Sequence, residues 1–294
     1  MKICKTLLTL GEKIGLLIGE DFIFWRDSLM ILSTENLNKI YEGKTKDVYQ
    51  YRDKEILLYT KDETTGWWKT NESGQRYFEE DPGGNQVGPA VAGMGQKNLI
   101  ASEYYFKKFH EAGIANHFID CDIEQNLMLV HAGEVFGQGL EAIVRLHAMG
   151  SLLRRFPDTY TAGQPLENFF ETTLKSDADN DPPISKEELA AQGILTTNQY
   201  DEMHRLCRNA TAVIAADLAE EDLTLVDIKF ELGLVDGQLL LIDEVSAGVM
   251  RVARGPITPE NILNEEQLSD VLITRAKRAK IVDALLVNGD SCCF

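Results

Sequence analysis

The chain has 294 residues, 44% of them hydrophobic and 26% charged, enough to build one large domain or two. Its 47 acidic against 29 basic side chains leave a formal charge of −18, which argues against nucleic acid or an anionic membrane as a default partner. Anionic small molecules stay admissible, because they need only a local cationic pocket.

Residues 3–19 begin like a signal peptide, but Glu12 and Lys13 interrupt the apolar run and no small-residue cleavage pattern follows. The run is also too short and too charged to span a bilayer. Residues 1–37 are therefore expected to form an extension that packs on the body or on a second subunit, the latter making a homo-oligomer. Met30 is an alternative start. The five cysteines, Cys4, Cys121, Cys207, Cys292 and Cys293, have no zinc or disulfide-framework spacing, so reduced thiols in a cytoplasmic protein are the simplest expectation. The terminal Cys292-Cys293-Phe294 does not match a prenylation box.

Lys39 to Tyr51 reads as a strand in which Lys44, Lys46 and Val48 share one face, followed by a turn at Arg52–Lys54 and a partner strand Glu55–Thr60. Two lysines beside Gly43 could grip a polyphosphate. On this segment alone, a solvated strand face is the favoured reading. Asp62 to Gln96, rich in glycine and polar residues, is expected to be a long loop with at most short strands. A first helix is expected over Asn98–Glu111, ended by Gly113. His110 and His117 flank its end, and neither is given a role. Phe118–Asp120 and Leu127–Val130 read as strands, and Gly133 to Gly139 as a hinge. The resulting division is 1–37, 38–133 and 134–294.

Glu141 to Phe156 starts as a strand and breaks at Gly150-Ser151, with Arg145 in the strand and Arg154 and Arg155 after the break. Guanidinium forks beside a Gly-Ser turn suit phosphate; the alternative is a basic surface patch. Leu174 to Pro183 is a polar loop that carries Lys175, Asp177, Asp179 and Asp181 but lacks the glycine and terminal glutamate of an EF-hand. Capping boxes at Ser185-x-x-Glu188 and Thr196-x-x-Gln199 open two helices. In the second, Met203, Leu206, Ala210, Val213, Ile214 and Leu218 form a core stripe.

Thr224 to Arg251 reads as a hairpin with charge inside it. Asp227, Lys229 and Glu231 alternate with Ile228, Phe230 and Leu232, so the charged set shares one face. Gly233 and Asp236-Gly237 supply turn chemistry. The return strand Leu239–Ile242 is apolar throughout, which suggests burial on both faces, and Asp243-Glu244 close it. Buried carboxylates are costly unless a partner offsets them. A divalent cation held by Glu231 and Asp243, with phosphate on its far side, is one such partner; salt bridges along an exposed face are the other. The apolar return strand favours the cation. A terminal helix is expected over Leu268–Leu286.

In order, GKTKDVY (43–49), GMGQKN (93–98), EAIVR…GSLLRR (141–155), LKSDADNDPPI (174–184), LVDIKFELG (225–233) and IDEVSAGVMR (242–251) resemble the phosphoribosylaminoimidazole-succinocarboxamide synthase (SAICAR synthetase) family over residues 38–254. The resemblance implies an α+β fold with a small N-terminal antiparallel lobe, a larger sheet-and-helix lobe, and ATP in the cleft between them. It implies an ATP- and Mg²⁺-dependent ligase that joins L-aspartate to carboxyaminoimidazole ribotide (CAIR) through an acyl phosphate. Lys44, Lys46, Val48 and Lys175 are then nucleotide contacts, with Glu231 and Asp243 facing the metal and the phosphates. Arg145, Ser151, Arg251 and Ser246 are ribotide-side contacts, and Lys229, Asp227 and Asp181 lie near the reacting groups. A small-molecule kinase, or a ligase for another amine, is the alternative. The chain departs from the common form at Ser246-Ala247-Gly248, where the family has S-P-D, and at Leu99 and Leu146, where asparagines are usual. The missing Asp bears most on aspartate placement.

Overall fold

The polar–apolar alternation of the sequence is realised as three antiparallel sheets. The computed structural model describes residues 31–82, 84–176 and 181–289. In chain order the first elements are β1 (Lys39–Glu42), β2 (Lys46–Arg52), β3 (Glu55–Thr60), β4 (Glu63–Thr70), β5 (Arg76–Glu80), β6 (Gln86–Ala90), α1 (Met94–Glu111), β7 (Phe118–Asp122) and β8 (Leu127–His131). There follow β9 (Glu134–Val135), β10 (Leu140–His147), α2 (Ser151–Arg155), β11 (Pro165–Leu174), α3 (Lys186–Ala191), α4 (Thr197–Ala219), β12 (Leu223–Val235), β13 (Gln238–Ile242), β14 (Met250–Arg254) and α5 (Glu265–Gly289).

One sheet has the order β1-β2-β3-β8-β7, and a second has β11-β10-β12-β13, with β14 and β9 also pairing with β12. Helix α4 covers the second sheet, and α1 packs against α5. The core between them is apolar, with Phe106, Phe109, Ile214, Phe230 and Leu241 all at most 2% exposed. Both predicted capping boxes form: Ser185 accepts from Glu188 N, Thr196 accepts from Gln199 N, and the two side chains answer in kind. The stripe on α4 is core as expected, with Met203, Ala210, Ile214 and Leu218 fully buried.

Three expectations are corrected. Lys39–Tyr51 is two strands, because Gly43 N donates to Lys46 O at 2.7 Å and turns the chain. Lys44 lies in that turn, so only Lys46 and Val48 share a strand face. Gly233 is no turn residue; it pairs with Leu240 inside β12, and Asp236-Gly237 alone makes the turn. The stretch expected as a long loop is instead the third sheet, β5-β4-β6. Trp68 and Phe78 face each other across β4 and β5 with rings edge-to-face at 5.2 Å. The Phe78 ring also lies over Gly88, where an added Cβ would meet it at 2.2 Å, and near Gly66, where a Cβ would meet the Glu79 carbonyl oxygen at 2.1 Å before the ring at 2.8 Å. These glycines make room for an aromatic ring in a sheet.

The first helix starts at Met94, earlier than Asn98, and β11 was not anticipated. Residues 3–19, Met30, the 290–294 tail and Asp177 and Asp179 lie outside the described residues. Of the predicted extension, Leu32 is 1% exposed and its N–H donates to Asp122. No helix among the described residues is long and apolar enough to cross a membrane.

Candidate active site

Strands β10 and β12 place charge opposite charge on one sheet face. In register, Glu141 faces Glu231, Ile143 faces Lys229 and Arg145 faces Asp227. The period-two rule that put Asp227, Lys229 and Glu231 together puts Glu141 and Arg145 beside them. Asp243 follows β13 directly, next to Ile242, which pairs with Glu231. It adopts φ 69°, a left-handed conformation uncommon for a non-glycine residue and one that concentrates at functional sites. His117 Nε2–H donates to its carbonyl at 3.2 Å and holds the bend. Burial drives the His117 ring down to about 4, so it stays neutral there.

Around the Glu231–Asp243 pair stand three lysines. Lys46 bonds Asp243 at 3.2 Å and also pairs with Glu244. Lys175 bonds Glu231 at 2.8 Å, and Lys229 bonds Glu141 at 2.9 Å. Burial opposes the charge on each lysine, but the facing carboxylates outweigh it and all three are held above the usual lysine range. The two carboxylates differ. Burial, reinforced by Asp243, pushes Glu231 up; for Asp243 burial is outweighed by Lys46 and Lys175, and it is held down. A divalent cation between them would relieve that repulsion, so the donor set fits Mg²⁺. Among the described residues no group of three or more His, Cys, Asp or Glu is placed to hold a metal alone. Two protein carboxylates completed by phosphate oxygens is the usual manner of Mg²⁺ binding.

This cluster lines a cavity of about 490 Å³ together with Lys44, Val48 and Leu58. A second cavity of about 370 Å³ adjoins it, sharing Asn85, Glu141, Asp181, Lys229 and Val249. Its floor is a cluster built on Asp227. Arg145 Nη1 donates to Asp227 at 2.6 Å and Arg145 Nη2 to Ser151 Oγ at 2.8 Å, while Arg251 Nη1 reaches both Asp227 oxygens at 3.0 and 2.8 Å. Arg145 also bonds Glu171, and Arg251 pairs with Asp81, which directly follows β5. Gly150, at φ 62°, lets Arg251 pass: an added Cβ would lie 2.6 Å from the guanidinium.

Thus Lys44, Lys46, Val48, Lys175, Glu231 and Asp243 gather at one cavity, Arg145, Ser151, Asp227 and Arg251 at the next, and Lys229 and Asp181 at both. Ser246 stands apart. It is 0% exposed, donates to Glu244 and accepts from Gly248 N at 3.2 Å, so it braces the Glu244–Lys46 pair instead of facing a cavity. Sequence reasoning missed Glu141, Glu171 and Asp81, although alternation along EAIVR could have found the first. It noted Glu244 at the end of the hairpin without a role, and it gave none to Asn98 or Glu265.

The family model for SAICAR synthetase matches residues 85–256. The phosphoribosylaminoimidazole-succinocarboxamide synthase of Clostridium tetani is 39% identical over 217 residues, 73% of this chain and 92% of that protein. That of Chloroflexus aggregans is 34% identical over 232 residues, 76% of this chain and 83% of the other. Among solved structures, the synthase of Ehrlichia chaffeensis superposes with a TM-score of 0.65 at 23% identity, over 82% of this chain and 96% of that one, a likeness of fold. A SAICAR synthetase in complex with ADP matches at TM-score 0.64 and 25% identity, over 82% and 95%.

Proposed function

The chain belongs to the SAICAR synthetase family, and we propose how its own residues join L-aspartate to the carboxylate of CAIR. It is an ATP-dependent carbon–nitrogen ligase of purine biosynthesis that forms SAICAR, ADP and phosphate. The observation that carries the residue assignment is the adjoining of two cavities, one with a carboxylate pair ringed by lysines and one floored by arginines.

Lys44, Lys46 and Lys175 hold the triphosphate, and Val48 and Leu58 give the base an apolar surface. Residues 38–133 form the lobe over the nucleotide, and 134–294 the larger lobe. Glu231 and Asp243 would hold Mg²⁺, which would neutralise phosphate charge there when bound. Arg145, Arg251 and Ser151 receive the ribotide phosphate, with Asp227 fixing both guanidiniums. A carboxylate is a poor electrophile, so the γ-phosphoryl group must first be passed to the CAIR carboxylate. Lys229, on the wall common to both cavities, offsets the charge that develops there, and Asp181 lines the same two cavities. Ser246 acts through Glu244, which positions Lys46. We place the protein in the cytoplasm, where its free thiols Cys121 and Cys207 would stay reduced.

A coupled ADP-release assay with Mg·ATP and CAIR, with and without aspartate, tests the reading. Aspartate-dependent release with a product of SAICAR mass is expected. A stable phosphorylated product with no need for aspartate would make this a kinase instead.

A further inference from the structure

A third cavity, of about 420 Å³, opens between the other two. It meets the nucleotide cavity at Thr65, Gly248 and Glu265, and the ribotide cavity at Pro82, Arg154 and Arg251. The reaction has three substrates, and two cavities already account for two of them.

Glu265 is the ionisable group among the three residues that this cavity shares with the nucleotide cavity. It opens α5, whose first turn is capped by Asn264 accepting from Gln267 N at 2.8 Å. Its Oε1 accepts from Asn98 Nδ2 at 2.8 Å, and its own N–H donates to Glu80 at 3.2 Å. The groups around its carboxyl are Asn98, Glu80, Glu244 and Lys46; burial, with Glu244 and Glu80, pushes it up to about 7. A second, independent feature adjoins it. Asn98 is 6% exposed and its Oδ1 has no hydrogen-bond partner. A buried acceptor without a donor is costly, and here it stands on a side chain already bonded to a carboxyl. A carboxyl and an amide oxygen together suit a ligand with several N–H donors, such as an ammonium group. Gly248 keeps the approach open, since a Cβ there would lie 3.0 Å from Glu265 Oε1. This is the position at which the sequence lacks the aspartate of the common motif.

We infer that the third cavity holds the amino-acid substrate, with Arg154 taking a carboxylate and its ammonium group set at the boundary with the nucleotide cavity, where Glu265 lines both and Asn98 lines the nucleotide side, so that position 265 supplies the acid absent at 248. The inference rests on the ligase reading. The ammonium must lose two protons to become an amide nitrogen. One passes to the Glu265 carboxylate, freeing the lone pair that attacks the acyl carbon. The C–N bond forms as the C–O bond to phosphate breaks, and the departing phosphate takes the second proton. A carboxylate near neutral is matched to this transfer.

Glu265→Gln keeps the shape and the Asn98 bond but cannot accept a proton or pair with an ammonium. Melting of the variant should be at or above that of the wild type, because it removes a carboxyl disfavoured by burial. The aspartate KM should rise roughly tenfold or more, with kcat lowered and the KM values for ATP and CAIR within about twofold. Hydroxylamine, uncharged at neutral pH, should still intercept the acyl phosphate in the variant at near wild-type rate. An unchanged aspartate KM and kcat, or equal losses with aspartate and hydroxylamine, would overturn the assignment of Glu265. Absence of aspartate-dependent ADP release in the wild type would overturn the ligase reading itself.

Discussion

Replacing Asp227 by Asn takes one charge from the most enclosed ion cluster of the site while keeping its shape. Asp227 is 2% exposed and accepts bonds of 2.6, 3.0 and 2.8 Å from two guanidiniums. The amide oxygen still accepts from a charged guanidinium, so what is lost is the ion-pair attraction and not the bonds themselves. The amide also presents an NH₂ where an acceptor stood. Breaking a buried pair costs about 3–5 kcal/mol, and Arg145 and Arg251 keep Glu171 and Asp81 as partners. The expected loss is therefore near the lower bound, about 3 kcal/mol, or roughly 6–12 °C in melting temperature. Urea denaturation measures it, the slope reporting whether the unfolded ensemble has changed. A loss below about 1 kcal/mol at unchanged slope would refute the assignment of Asp227 as the brace of both arginines.

Asp243→Asn should abolish turnover and Mg²⁺-dependent tightening of nucleotide binding while the melting temperature stays near wild type; titration calorimetry with and without Mg²⁺ reads this, and wild-type-like turnover would contradict it. His117, 3% exposed and neutral in the fold, predicts no pH effect on stability above about 6.5 and a loss of up to about 3 kcal/mol as pH falls to about 4. Protonation is favoured in the unfolded chain first, so stability drops on the acid side; His117→Asn should flatten that limb in melts across pH. Gly150→Ala forces a Cβ to 2.6 Å from the Arg251 guanidinium at a left-handed position, so the CAIR KM should rise while the ATP KM does not.

What the sequence made legible was charge in the wrong place. Asp227, Lys229 and Glu231 stood out because period-two spacing put them on one face of a strand whose return partner, Leu239–Ile242, is wholly apolar. The α4 stripe and both capping boxes were readable for the same reason: each rests on neighbours within a few residues. The third sheet was not readable, because Gly66 and Gly88 carry a loop composition while the groups that fill the space beside them, the Glu79 backbone at Gly66 and the Phe78 ring at Gly88, come from another strand. Lys44 was placed on a strand face because alternation alone does not report the Gly43 turn. Ser246 looked like a contact in a motif, yet its hydroxyl is spent on Glu244 and Gly248. The Asn98–Glu265 pair spans 167 residues and joins the starts of two helices, so no local pattern announces it.

The central claim is that the CAIR carboxylate is activated by phosphoryl transfer before the amine attacks. The direct test is to run the complete reaction with CAIR labelled with ¹⁸O in that carboxylate and to weigh the released phosphate. Transfer of one labelled oxygen into the phosphate is the predicted result, since the bond broken last is the one from the acyl carbon to that oxygen. Unlabelled phosphate, with SAICAR still formed, would contradict an acyl phosphate and the roles assigned here to Lys229, Glu231 and Asp243.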